Sequence, residues 1–351
     1  MSLGPFAGKE AVMNYKRSML AGLLAACCLL SGCAANVVPS GEPENDMENE
    51  PVYIDQVELE EVELDLEMEM VPMSESPAAL PTILAPVASG KSVSSSGGAE
   101  IDYSNITDGY VMVRFPGTSS SRLKVRVYGP TTEYTYDLST GAWTTFPLSD
   151  GNGSYKVTVF QNTSGNKYAT LASASFSVTL KDEFAPFLRP NQYVDYEDAV
   201  NTIALAAELT EGIDDPLQKV GVVYDYVVKN LTYDKALANK ISSGQITSYL
   251  PDLDSVLEAK KGICFDYAAL MTGMLRSQGM PCKLVVGYAG KAYHAWVSVW
   301  TEENGWVDGV IYFDGTTWQR MDPTYASSGS SSASIMKYIG NGKNYTTKYL
   351  Y

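Results

Sequence analysis

The chain has 351 residues and carries 41 acidic against 25 basic side chains, a formal net charge of −16 that argues against a protein gripping nucleic acid through a basic face. Its length predicts about two domains, and a hydrophobic content of 45% supplies enough apolar material for real cores. The chain contains a single histidine, His294, which excludes a multi-histidine metal site and makes that residue the sole source of imidazole chemistry.

Lys16 and Arg17 precede an apolar run over 19–30, followed by Leu30-Ser31-Gly32-Cys33. A positive segment, a short apolar segment and small residues before a cleavage point are the parts of an export signal. The run is short for a membrane-spanning helix. Its end resembles a bacterial lipobox, which implies a signal peptide over 1–33, an acylated Cys33 and an extracytoplasmic protein lipid-anchored to the bacterial cell membrane. A plain secretory signal with a chance cysteine is the alternative. Cys27 and Cys28 would leave with the signal, so Cys264 and Cys282 would be the free thiols, too few for a disulfide scaffold.

Residues 34–99 hold fourteen acids and only Lys91. The density of like charge predicts a disordered, self-repelling tether, although acids and apolar residues alternate over 57–70. From residue 100 the period becomes two. Segments 110–115, 123–128, 134–136, 154–160 and 174–179 read as strands separated by Gly, Pro, Asn and Asp clusters. This predicts an all-β immunoglobulin-like sandwich over 100–183, without the cysteine pair of antibody domains.

A proline-containing connector leads to helical periodicity at 195–210. Asp215-Pro216 places a capping carboxylate before a proline at the first helical position, opening a helix to about Asn230. A short helix is expected near Asp254. Gly262, Cys264, Ala268 and Leu270 then open a helix that stops at Gly279, with Pro281 beyond. Cys264 falls in its first turn, where unpaired N–H groups and the dipole favour an anion, so its thiol pKa is expected to fall. Residues 282–288 and 293–300 read as consecutive strands, the second placing His294, Trp296, Ser298 and Trp300 on one face. A further strand candidate at 310–313, a turn at Asp314-Gly315 and the segment 318–321 lead to Asp322-Pro323-Thr324. A thiol, a histidine and an acid in this order can act as nucleophile, base and orienting group.

At these residues the chain resembles the transglutaminase-like superfamily. The resemblance rests on Gly262/Cys264/Ala268/Leu270, Gly279-Met280-Pro281, Gly287-Tyr288, His294-Ala295-Trp296 and Asp322-Pro323-Thr324. It implies an α+β papain-like domain over 190–351 with Cys264, His294 and Asp322 as catalytic triad, and no metal or organic cofactor. Tyr233 lies where family members often carry a tyrosine that would support an oxyanion beside the Cys264 N–H. The 28-residue spacing from His294 to Asp322 is long for the family. Asp308 lies nearer but lacks the following Pro-Thr, so Asp322 is preferred. The resemblance implies attack on an amide of a protein or peptide, cell-wall peptide included, through a thioester. Hydrolysis is favoured over crosslinking. The alternative is a non-catalytic cell-surface binding protein using the same fold. A Cys264–Cys282 disulfide would silence the nucleophile.

Overall fold

The structure, a computed structural model, describes residues 80–289, 292–303, 305–308 and 345–351. Cys33 with the expected signal, most of the acidic stretch including 57–70, the strand candidate at 310–313, the segment 318–321, and Asp322 lie outside the described residues. All described residues belong to one compact unit, Asn45–Tyr351. Among them no helix is long and apolar enough to cross a membrane.

Eight strands come first: β1 (Val93–Ser96), β2 (Ala99–Asp102), β3 (Tyr110–Arg114), β4 (Leu123–Tyr128), β5 (Glu133–Leu138), β6 (Thr144–Pro147), β7 (Gly153–Ser164) and β8 (Lys167–Val178). They form two antiparallel sheets in the orders β1-β2-β3-β6 and β5-β4-β7-β8. The alternation works as period two requires. Val125, Val127, Val157 and Val159 of one sheet and Ile101, Val111 and Val113 of the other are buried in the same apolar cluster. Lys124 and Arg126 take the opposite face of β4, where Arg126 pairs with Glu133 at 2.7 Å.

Strand pairing begins earlier than the sequence indicates. Residues 93–99, assigned above to the tether, make a hairpin in which Ser96 faces Ala99. Gly97 and Gly98 form its two-residue loop at φ 57° and 83°. Glycine takes consecutive positive φ angles without strain, so the Gly-Gly pair is a turn between strands and not linker.

The second half holds α1 (Val200–Thr210), α2 (Pro216–Asn230), β9 (Thr232–Tyr233), α3 (Lys235–Ser242), α4 (Leu253–Ala259), β10 (Lys261–Gly262), α5 (Cys264–Ser277), β11 (Cys282–Ala289), β12 (Ala292–Thr301), β13 (Gly305–Asp308) and β14 (Tyr345–Leu350). Asp215 caps α2 as expected, accepting from the N–H groups of Leu217 and Gln218. The first helix starts five residues later than its periodicity indicates. Its cap comes from α4, whose Asp254 carboxylate accepts the N–H groups of Asn201 and Thr202 at 3.1 and 2.8 Å. A cap supplied by another helix leaves no local signal.

Helix α5 is buried along its whole length. It packs against a four-stranded antiparallel sheet of order β13-β12-β11-β14. Rings from both halves of the chain meet beside it. Tyr134 of β5 lies 5.7 Å from Tyr349, Tyr136 lies 5.7 Å from Tyr351, and Tyr193 of the connector stands edge-on to Tyr351 at 4.6 Å and to Phe265 at 5.4 Å. These ring contacts connect the sandwich to the residue following Cys264.

Candidate active site

Cys264 is the first residue of α5, and what precedes it is tightly specified. Lys260 ends α4 in the left-handed region at φ 49°, an uncommon conformation for a side chain of that size, and turns the chain into β10. β10 runs parallel to β9, with Gly262 in register with Tyr233 and the Asp234 N–H donating to the Gly262 carbonyl at 2.7 Å. Ile263 follows in extended conformation, and the helix begins. Gly262 has to be glycine: a Cβ there would lie 2.6 Å from the Cβ of Asp266.

The strand that receives the sulfur can be worked out from the ladder. Leu284 of β11 exchanges both backbone hydrogen bonds with Tyr351, at 2.8 and 3.0 Å. Backbone groups alternate sides along a strand, so Val286 also turns away from β12. Ala295, opposite Val286 in register, then directs its N–H away from β11. The Ala295 backbone favours the Cys264 thiolate, as do the backbone groups of Phe265 and of Cys264 itself. The nucleophile candidate therefore interacts with the residue that directly follows His294.

The Cys264 and Phe265 donors act as the helix-start argument expects, and Ala295 of β12 adds a third, but they do not decide the outcome. Burial pushes the Cys264 thiol up to about 12, outweighing the donors, with the nearby Asp266 opposing the anion further. The expected fall in thiol pKa is therefore corrected: taking a charge out of water costs more here than three dipoles return. Cys264 is 1% exposed and His294 3%. Cys264 and Cys282 are both free thiols, so no disulfide joins them.

His294 lies opposite Gly287. A Cβ at Gly287 would run into the Thr346 carbonyl and come within 2.9 Å of the Trp296 ring. The indole of Trp296 thus lies over the residue facing His294, and β14 can approach only because position 287 lacks a side chain. Asp308 of β13 is in register with Ser298, four residues along β12 from His294.

Tyr233 stands near the sulfur. Burial pushes its hydroxyl well above the usual value, and interactions with Cys264 and Asp266 add to the shift, so it stays a neutral donor. The sequence reading did not single out Asp266 or Tyr249. Asp266 is fully buried, its Oδ2 accepting the Ile263 N–H at 2.7 Å and its Oδ1 accepting the Tyr249 hydroxyl at 2.7 Å. An acid in the first turn of a helix is a recognisable capping signal and could have marked Asp266. Nothing local marks Tyr249. Among the described residues no group of three His, Cys, Asp or Glu side chains is arranged to hold a metal ion.

Residues 203–309 match the Transglutaminase-like superfamily, a span that includes Cys264 and His294 and stops before Asp322. The uncharacterized protein YebA of Bacillus subtilis is 30% identical over 124 residues, 29% of this chain and 16% of that protein. A protein-glutamine gamma-glutamyltransferase of Pseudomonas aeruginosa is 30% identical over 86 residues, 20% of this chain and 11% of that protein. The chain thus spans less than a fifth of the length of these relatives. Among solved structures, the periplasmic domain of TgpA from Pseudomonas aeruginosa aligns over 67% of this chain and 96% of its own, at 16% identity and a TM-score of 0.27. Red sea bream transglutaminase aligns over 66% of this chain and 53% of its own, at 13% identity and a TM-score of 0.27. Residues 203–309 of this chain form a domain of the transglutaminase-like superfamily.

Proposed function

We propose that the chain is a membrane-anchored, extracytoplasmic thiol enzyme that cleaves an amide bond through Cys264, His294 and Asp322. The observation that carries this reading is the packing of α5, which opens with Cys264, against β12, which bears the chain's one histidine, with the Ala295 backbone favouring the Cys264 thiolate. His294 takes the thiol proton, and the sulfur attacks the amide carbonyl carbon. The resulting oxyanion is held by the Cys264 N–H and the Tyr233 hydroxyl. The C–N bond breaks as His294 returns the proton to the departing amine, leaving a thioester. Water gives a proton to His294 and attacks the thioester carbon; the C–S bond breaks, the acid is released and His294 returns the proton to the Cys264 sulfur. Asp322 orients the imidazole and balances its charge. Burial disfavours a lone thiolate, but transfer of its proton to an adjacent imidazole creates a pair with no net charge, which the same burial penalises less.

The substrate is a protein or peptide, with cell-wall peptide within that class, and Cys33 carries the lipid anchor. Residues 100–183 serve as an immunoglobulin-like spacer between anchor and catalytic domain. A thiol at 1% exposure is out of reach of a polypeptide, so turnover requires the groups over Cys264 to move. The same observation favours a second reading, a non-catalytic cell-surface binding protein, because Cys264 is as covered as the structural Cys282 at 0%.

The test is iodoacetamide labelling of the full chain across pH, with the labelled cysteine located by peptide mapping. An enzyme labels Cys264 faster than Cys282 and loses that advantage in His294→Ala. Equal, slow labelling of both thiols selects the binding protein. Incubating a glutamine-containing peptide with a primary amine separates the acceptors: a hydrolase returns the free acid, a crosslinking enzyme the substituted amide.

A further inference from the structure

The turn that delivers Cys264 to β12 is held by groups outside the proposed triad. Asp266 is 0% exposed, yet its carboxylate is fully engaged, with one oxygen on the Ile263 N–H and the other on the Tyr249 hydroxyl. Tyr249 lies on the segment between α3 and α4, so the bond ties that segment to the first turn of α5. Ile263 is the residue before the thiol, and its N–H is one of the groups a helix start leaves without an intrahelical partner. Gly262 creates the space for the carboxylate, and its register with Tyr233 sets the approach of the chain. The titratable groups interacting with Asp266 are Cys264 and Tyr267 on α5, Tyr233 and Asp234 around β9, and Tyr249. None of these is a cation. As a bare charge, Asp266 therefore works against a thiolate at Cys264, and its place beside a nucleophile needs another explanation.

We propose that Asp266 and Tyr249 are positioning residues: the carboxylate, anchored by the Tyr249 hydroxyl, clamps the Ile263 N–H and thereby holds the Cys264 sulfur on the N–H groups of Ala295, Phe265 and Cys264. The assignment rests on the reading of Cys264 as nucleophile, but its readout does not require turnover. The clamp outweighs the unfavourable charge because loss of alignment weakens three donors to the thiolate together.

Charge and clamp make opposite predictions, which gives the test its sign. Full-length wild type, Asp266→Ala and Tyr249→Phe are labelled with iodoacetamide at fixed pH values between about 7 and 10, and the rate at Cys264 is followed by peptide mapping. If Asp266 acted only as a charge, Asp266→Ala would favour the thiolate and speed the reaction. As a clamp, its loss raises the thiol pKa by about one unit and slows labelling about tenfold at each pH. Tyr249→Phe keeps the ring and the carboxylate, slows labelling by less, and carries the test if Asp266→Ala does not fold. A rate that rises or stays unchanged in the folded variants overturns the assignment. A wild type that labels Cys264 no faster than Cys282, with no effect of His294→Ala, removes the enzyme reading instead. The variants' rates relative to wild type at one alkaline pH still give the direction in that case, so the two failures are distinguishable.

Discussion

The two ends of helix α5 solve the problem of burial in opposite ways. At its C-terminal end Arg276 is 2% exposed and satisfies its guanidinium on three backbone oxygens, those of Cys282 at 2.8 Å, Arg189 at 2.8 Å and Tyr351 at 2.6 Å. This joins β11, β14 and the connector through one side chain, and a cation belongs at that end of the helix dipole. At its N-terminal end the helix start gathers a thiol, a buried acid and the Tyr233 and Tyr249 hydroxyls, with no cation among the groups acting on Asp266. Each end has a fully buried cysteine, and burial pushes both thiols up to about 12. Their neighbours differ: Cys282 interacts with Arg276 and Thr272, whereas Cys264 faces three N–H donors and the strand bearing His294. Burial and pKa direction therefore do not separate a structural thiol from a candidate nucleophile, and the groups aimed at the sulfur do.

Four changes would break or sharpen that contrast. The largest effect is expected from Cys264→Ser, which should lower amide cleavage by a thousandfold or more, on the order of a lost nucleophile, with an unchanged unfolding transition; steady-state turnover and urea unfolding measure the two. Arg276→Met should do the reverse in kind. It strands three buried carbonyls and should cost about 3 kcal/mol or more in urea unfolding, with the ties from β11 to β14 and the connector loosened together. A pH effect comes next, at the N-terminal end. Burial raises the Asp266 carboxyl to about 6 from an ordinary 3.8, so between these values the folded chain keeps a proton that the unfolded chain has released. The contribution is present below about pH 4 and is lost as the pH rises through about 6. Unfolding midpoints between pH 4 and 7 should decline less in Asp266→Asn than in wild type. The smallest effect belongs to Cys282→Ala, a loss of about 1 kcal/mol from a small buried cavity, with labelling at Cys264 retained. If Cys282→Ala abolished that labelling, the two ends of α5 would not be separable.

Much of the site was legible because it lies on elements that carry their own local signals. The α5 start after Gly262, its stop at Gly279, where φ is 75°, and the strand bearing His294 all fall where spacing and punctuation indicate. Asp215 before Pro216 identified the start of α2 for the same local reason. Residues whose roles depend on distant partners gave less away. Asp254 caps a helix other than its own, β14 joins β11 across a long stretch of sequence, and Tyr249 reaches Asp266 from a segment without periodicity. β1 went unrecognised because serines and glycines read as linker until a second strand pairs with them.

Residue order alone determined that a thiol would open a helix, that one imidazole would sit on a strand two elements later, and that turns would separate them, because helix and strand periods and Gly or Pro stops act over a few residues. Tertiary structure decided the state of the thiol. How far water is excluded from Cys264, and which N–H groups and acid surround it, depends on β12, the 243–252 segment and α5 converging. The energy of a buried charge is set by everything within a few ångströms, whatever its place in the chain.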